Sequence, residues 1–87
     1  MRLDPQERAD QEFELIYIAA GVGEAQSIEA ILDQEGIDYA IQVEQYRSGV
    51  IFASVRAGAF FYVPLEFAAR SRETLTRLGY RVQTPIE

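Results

Sequence analysis

The 87-residue sequence contains no cysteine, no histidine, no tryptophan and no lysine. Without cysteine the chain has no disulfide framework, no thiolate metal site and no thiol redox couple. Without histidine it lacks the commonest metal ligand and the usual general base near neutral pH. Nucleophilic catalysis would also have to do without lysine and without a G-x-S-x-G motif. We therefore expect a protein that is not an enzyme and that uses no metal and no cofactor.

Basic residues and long apolar runs are also scarce. Eight arginines stand against fourteen acidic residues, which gives a net charge of −6. Because phosphate binding relies on a basic patch, this balance argues against nucleic acid as a partner. The uncharged apolar runs are much shorter than the roughly 20 residues of a membrane span, and residues 1–8 lack the apolar core of a signal peptide. We expect a cytoplasmic protein that does not associate with membranes.

The sequence does contain one pattern written twice. Each copy has an apolar strand, a helix followed by glycine, and a second strand, and the copies are 43 positions apart. The residues identical between the copies are Ala25 with Ala68, Leu32 with Leu75, and Gly36 with Gly79. Two such βαβ units in one small domain predict an α+β, ferredoxin-like βαββαβ sandwich. In this fold a four-stranded antiparallel sheet carries both helices on one face.

The predicted boundaries follow from the hydrophobic periodicity and the glycines. We expect one domain over residues 12–84, with a flexible tail at 1–11 and a short tail at 85–87. The predicted strands cover residues 12–19, 37–44, 59–63 and 80–83, and the predicted helices cover 23–35 and the segment from Pro64 to Leu78. Gly36 and Gly79 are expected to supply the left-handed residue that ends each helix.

Residues 45–58 have no counterpart in the first unit. We interpret Gln45–Gly49 as a turn, Val50–Val55 as an extra short strand and Arg56–Gly58 as a break, so that the segment extends a β-hairpin arm from the sheet. Tyr46 and Arg47 at its tip are candidate ligand-binding residues, because arginine binds carboxylates and phosphates and loop tips often carry function. A turn with a solvated arginine is the alternative interpretation.

Gly21, Val22 and Gly23 join the first strand to the first helix. Free backbone amides and the helix dipole at this place can hold an anion, although Glu24 directly after them would repel phosphate. The alternative is a tight turn that requires positive φ. The loop therefore supports a second function hypothesis, a sensor of a small molecule such as an amino acid or a nucleotide that binds at Gly21–Gly23.

The two central strands are apolar on both faces. We assign one set to the face covered by the helices: Ile16, Ile18, Phe61 and Val63. We assign the other set to the open face: Tyr17, Phe60 and Tyr62. Because an aromatic patch in water usually marks an interface, we predict a homo-oligomer, a dimer or a trimer, that forms through the open face. Coverage by the tail or the hairpin, a ligand-stacking platform and an unknown protein partner are the alternatives.

Two segments resemble a known family. The residues from Glu24 to Ile37 resemble the "EA-x-x-I-x-x-L-L-x-x-E-GI" helix of small prokaryotic domains described as signal-transducing proteins of unknown function, and those from Val63 to Leu75 resemble the same family's "VP-x-E-x-A-x-x-A-R-E-x-L" segment. These domains are similar in fold to the PII nitrogen-regulatory proteins, which form trimers through their sheets.

The resemblance implies a non-enzymatic regulatory or protein-interaction module and brings no catalytic residues with it. The nucleotide-binding lysines of PII proteins have no match here, so ATP binding is not implied. Residues 45–58 occupy the place of the PII effector loop, which is an analogy of position alone.

Overall fold

A computed structural model of the chain describes residue 2 and residues 12–48 and 54–84. The elements in chain order are β1 (Phe13–Ala19), α1 (Val22–Gln34), β2 (Ala40–Ser48), β3 (Ser54–Pro64) and α2 (Leu65–Arg77). The strands form one antiparallel sheet in the order β1-β3-β2. The predicted α+β class is therefore confirmed. The predicted C-terminal tail and all of the N-terminal tail except Arg2 lie outside the described residues.

The two helices reproduce the repeat. Each has 13 residues, and α2 begins and ends 43 positions after α1. Gly36 and Gly79 follow them with positive φ angles of 70° and 95°, as the sequence predicts. The same closing hydrogen bond follows each glycine: Ile37 N to Leu32 O at 3.0 Å, and Tyr80 N to Leu75 O at 2.9 Å. This arrangement satisfies carbonyls that the last helical turn leaves unpaired. No helix of the described part of the chain is long and apolar enough to cross a membrane.

The predicted fourth strand is not formed within the described residues. Residues 80–84 have no strand conformation, although Gln83 N donates to Ile16 O at 2.7 Å and so holds the segment beside β1. The carbonyl of Gln83 accepts from Arg72 Nε instead of pairing with a strand. The Tyr80 ring packs edge-on against the Tyr17 ring, with 5.8 Å between centroids. Side-chain contacts thus hold this segment beside β1 in place of most of the backbone hydrogen bonds expected of a fourth strand.

The hairpin also differs from the prediction. The turn predicted at residues 45–49 is wrong over residues 45–48, and the break predicted at 56–58 is wrong as well, because β2 and β3 pair without interruption from Ala40–Tyr62 to Ser48–Ser54. Gly58 lies within this ladder opposite Glu44, where the backbone pairing holds it extended. Since β1 ends opposite Ala59, the earlier residues of β3 and their β2 partners form a two-stranded ribbon beyond the rest of the sheet. Residues 49–53, which include most of the predicted extra strand, lie outside the described residues.

A β-bulge in β1 changes which residues face the helices. Leu15 lies opposite Tyr62 and Tyr17 lies opposite Phe61, so Ile16 is the extra residue. A bulge of this kind inverts the alternation of the residues that follow it. Tyr17 is therefore only 6% exposed and belongs to the core, which corrects its predicted place on the open face. Ile18 lies opposite Phe60, on the face away from the helices. Its predicted place on the helix-covered face is therefore wrong.

The core lies between the sheet and the two helices. Ile28 and Leu32 of α1 and Ala68 and Leu75 of α2 are buried in one cluster with strand residues. The strand residues of this cluster include Ile16, Tyr17, Phe61 and Val63, and Tyr39, just before β2, belongs to it as well. Ile16, Phe61 and Val63 are fully buried, as predicted from their apolar character. Every buried side-chain nitrogen and oxygen in the described part of the chain has a hydrogen-bond partner, which is typical of native cores.

Candidate functional site

A cleft of about 450 Å³ lies between the first half of α1 and the edge strand β2. Residues of the β1–α1 connection and of α1 form one wall: Ala20, Gly21, Val22, Ala25, Gln26 and Glu29. Residues of the sheet form the other: Ala19, Ile41, Val43, Gly58 and Ala59. Arg2 closes one end. The cleft is thus mostly apolar with charged groups at one end, a composition typical of binding sites.

Small side chains create this cleft. Ala19 and Ala59 pair with each other on the sheet, and Ala25 faces them from α1, so among the described residues no large side chain fills the space between helix and sheet here. Val22 and Val43 flank the opening and are 75% and 76% exposed. Large apolar side chains that stay exposed at the rim of a cavity are a feature of binding surfaces.

The β1–α1 connection holds its own anion. Glu24 Oε1 accepts a hydrogen bond from Ala20 N at 3.2 Å, which places the carboxylate at the positive end of the α1 dipole. Tyr17 also donates to Glu24; burial first, then this carboxylate, raises the pKa of Tyr17 to about 12. Because Glu24 already supplies negative charge there, the connection is poorly suited to a phosphate.

The glycines of the connection are not held in a strained conformation. Gly21 precedes α1 with a φ of −156°, which is extended backbone open to any residue, and Gly23 lies within the helix. Neither has a positive φ, so the predicted tight turn requiring positive φ at this place is wrong.

A tyrosine and two carboxylates lie below the charged end of the cleft. The Tyr39 hydroxyl donates to Glu29 Oε1 at 3.1 Å and approaches Asp33 Oδ2 at 3.4 Å. Burial, and then the negative charges of Glu29 and Asp33, raise the pKa of Tyr39 well above its ordinary value. Arg2 Nη1 lies 3.8 Å from Glu29 Oε1. The group is suited to holding a cation beside Glu29, while no cluster of metal-ligating residues occurs among the described residues.

The backbone of Arg2 lies beside the residue that precedes β2, in line with the outer edge of that strand. It forms a parallel β-bridge with Tyr39, just before β2 begins. Within the described residues, no strand pairs with that edge along β2 itself. Arg2 carries no periodicity signal in a polar segment, so the sequence offered no indication of this contact.

The structure brings together only some of the predicted ligand-binding residues. Gly21 and Val22 line the cleft, whereas Gly23 lies in the first turn of α1 and does not line it. Tyr46 and Arg47 belong to β2 and pair with Arg56 and Val55 in the ribbon, beyond Val43. Sequence reasoning missed the contributions of β2 and β3, because single small or apolar residues in strands carry no distinguishing signal.

The sheet face opposite the helices differs in part from the predicted set of Tyr17, Phe60 and Tyr62. Leu15 and Ile18 of β1 and Phe60 and Tyr62 of β3 share this face, and all four are half-buried. We call these four residues the open face. Phe60 and Tyr62 lie where the sequence predicts, and Ile18 takes the place predicted for Tyr17.

A comparison with models of known protein families found no match to this chain, and searches of curated proteins and of solved structures found none either.

Proposed function

We propose that this chain is a cytoplasmic, non-enzymatic interaction module with a regulatory role, which self-associates through the open face. One observation carries the proposal: four large apolar side chains share the sheet face that no described helix covers, and all remain partly exposed. Aromatic side chains are enriched in protein interfaces, and the buried core of an interface is more apolar than the rest of the protein surface. A contiguous set of them in water marks a surface that another protein covers.

The occupant that we propose is a second copy of the chain. A two-fold axis would use the same patch on both copies, so that each copy places its β1 and β3 against those of the other. The net charge of −6 opposes approach at long range, but physiological salt screens this repulsion beyond about 8 Å. Burial of the apolar side chains then decides the association.

The ferredoxin-like fold and the signal-transducing resemblance belong to the same proposal. The strand order β1-β3-β2, with residues 80–84 held beside β1, supports a ferredoxin-like arrangement whose fourth strand is reduced to one backbone hydrogen bond. Residues that carry the resemblance, such as Ile28, Leu32 and Gly36, lie in the core or end α1. They support a shared shape and bring no activity with them.

Sedimentation velocity over a range of concentrations tests the self-association. We expect the wild-type chain to form a dimer and the Ile18→Glu variant to be a monomer, because the carboxylate would be buried in the interface. Val22→Glu is the matched control: it adds the same charge at an exposed valine away from the open face, and should associate like wild type. A wild-type chain that stays monomeric at every concentration would refute the proposal.

A second candidate function, a small-molecule sensor, is favoured by the position of Gly21 and Val22 in the wall of the cleft. Glu24 at the helix start and Glu29 at the charged end favour a ligand with an apolar body and an amino group over a phosphate. A thermal-shift screen of amino acids and nucleotides tests this. Binding at 100 times Kd adds about 2.7 kcal/mol of stability, so a true ligand shifts Tm clearly. We expect an aliphatic amino acid to stabilise the chain, and no stabilisation by any compound would exclude this function.

A further inference from the structure

The outer edge of β2 already accepts one residue of backbone. Arg2 pairs with Tyr39 in the parallel sense, at the end of the edge where β2 begins. An edge strand presents unpaired amide and carbonyl groups, which makes it a template for a further strand. The structure thus shows both that this edge can be extended and in which direction.

The cleft lies directly beside that edge. Tyr39, Ile41 and Val43 occupy alternate positions, and all three face α1, since Tyr39 bonds to α1 carboxylates and the other two line the cleft. A strand added beyond β2 would therefore place every second side chain over the cleft. The exposed Val22 and Val43 would be covered by those side chains.

Charge fixes the register of the added strand. The position opposite Tyr39 lies beside Glu29, and the residue found there is an arginine that pairs with this carboxylate. The residues two and four positions later would lie beside Ile41 and Val43, where the walls are apolar. The favoured segment therefore has a basic residue followed by apolar residues at the second and fourth positions after it.

We propose that the cleft and the outer edge of β2 form a peptide-binding groove, which takes an extended segment of a partner protein with this pattern as a strand parallel to β2. Main-chain hydrogen bonds to the edge would supply affinity, and the alternate side chains would supply specificity. The groove is separate from the open face, so its function does not depend on self-association.

Fluorescence polarisation with two synthetic peptides on the full chain tests the groove. The in-register probe is acetyl-Arg-Thr-Val-Thr-Val-Thr-Lys-amide with fluorescein on the lysine side chain, and the control is acetyl-Arg-Val-Thr-Val-Thr-Thr-Lys-amide with the same label. The two have the same composition and charge, but a shift by one residue moves the valines to the opposite face of the strand. We expect the control to bind at least about tenfold more weakly, as the loss of buried apolar side chains predicts. Equal binding of the two, or no binding of the in-register probe, would overturn the proposal.

Two lysine substitutions on adjacent residues locate the bound peptide. Val43→Lys puts a charge over the cleft and should weaken the in-register probe by about tenfold or more. Gln42→Lys adds the same charge at the preceding position, which is exposed and faces the other side of the sheet. This variant should leave the affinity for the in-register probe unchanged. Equal effects of the two would show that the probe binds elsewhere.

Arg2→Ala supplies a competition test. If the arginine of the probe takes the place of Arg2 beside Glu29, removal of the Arg2 side chain should strengthen binding, and Glu29→Gln should weaken it. No change in either variant would refute the proposed register. Full displacement of the probe by a free amino acid would instead assign the cleft to the small-molecule function.

Discussion

Arg72 donates from Nε to the carbonyl of Gln83 at 2.7 Å, where a fourth strand would otherwise run beside β1. The same guanidinium donates from Nη2 to Leu15 O at 3.0 Å and pairs through Nη1 with Glu14. Its side chain is only 16% exposed. One arginine of α2 therefore joins the helix, β1 and the C-terminal segment, and it substitutes for strand pairing that the backbone does not make.

Arg72→Met should lower the free energy of unfolding by about 2–4 kcal/mol. The substitution keeps most of the aliphatic stem but leaves two carbonyls and the Glu14 carboxylate without their donor in a partly buried place. Urea unfolding gives the stability, and hydrogen exchange should show faster exchange of the Gln83 amide, because the segment beside β1 is no longer held.

Arg77→Met is the matched control for this change. Arg77 lies on the same helix, is exposed, and contributes mainly to the charge at the helix end, so its replacement should cost less than about 1 kcal/mol. Equal losses in the two variants would mean that the contacts of Arg72 add nothing beyond its charge.

The reduced fourth strand shows where sequence reasoning stops. The repeat correctly predicts both helices and their glycine ends, because caps and periodicity act over a few residues. It predicts a strand at Tyr80–Gln83 by analogy with the first unit, but strand formation depends on a partner edge. The contacts of Arg72 with that edge join residues up to 57 positions apart and leave no local pattern.

Two glycine-to-alanine substitutions should have opposite signs. Gly36 has a φ of 70°, which an L-residue adopts only at a cost, so Gly36→Ala should destabilise the chain by about 1–2 kcal/mol. Gly23 lies in α1 with negative φ, so Gly23→Ala should stabilise the chain by about 0.4–1 kcal/mol. A Cβ at either position meets no atom within 4 Å, so packing does not confuse the comparison. Thermal unfolding of both variants measures the difference, and shifts of the same sign would contradict the assigned backbone conformations.

The bulge in β1 predicts unequal costs for two isoleucines. Ile16 is fully buried among helix and strand residues, so Ile16→Ala should cost about 2–5 kcal/mol. Ile18 is half-buried on the open face, and Ile18→Ala should cost clearly less under conditions where the chain is monomeric. Urea unfolding at low protein concentration compares them. Equal losses would indicate that both face the helices, as simple alternation from the sequence predicted.

Neither the bulge nor the cleft could have been predicted from this sequence. All residues from Leu15 to Ala19 are apolar, so no polar position marks the place where the alternation shifts. The cleft arises because Ala19, Ala25 and Ala59 come together from three elements, and an alanine in a strand or helix carries no sign of what lies opposite it. Such features depend on tertiary register, whereas the fold class depends on local patterns.

The free energy of unfolding should fall as the pH rises from about 10 to 12. Tyr17 keeps its proton in the folded chain up to a pKa of about 12, and Tyr39 has its pKa raised further, while unfolded tyrosines ionise near 10. Stability that depends on the two neutral phenols is therefore complete below pH 10. Between these values the unfolded chain releases protons that the folded chain retains, so each tyrosine lowers stability by up to about 1.4 kcal/mol per pH unit.

The composition removes other side chains that would interfere with this tyrosine titration. With no cysteine and no lysine, tyrosine is the only side-chain type that titrates between about pH 8 and 12. Absorbance of tyrosinate should show Tyr17 and Tyr39 ionising together with unfolding, which circular dichroism follows. Tyr39→Phe removes one late-ionising phenol and should flatten the pH dependence above pH 10, although it also leaves Glu29 and Asp33 without that donor. An unchanged slope in Tyr39→Phe would show that this hydroxyl does not retain its proton in the folded chain.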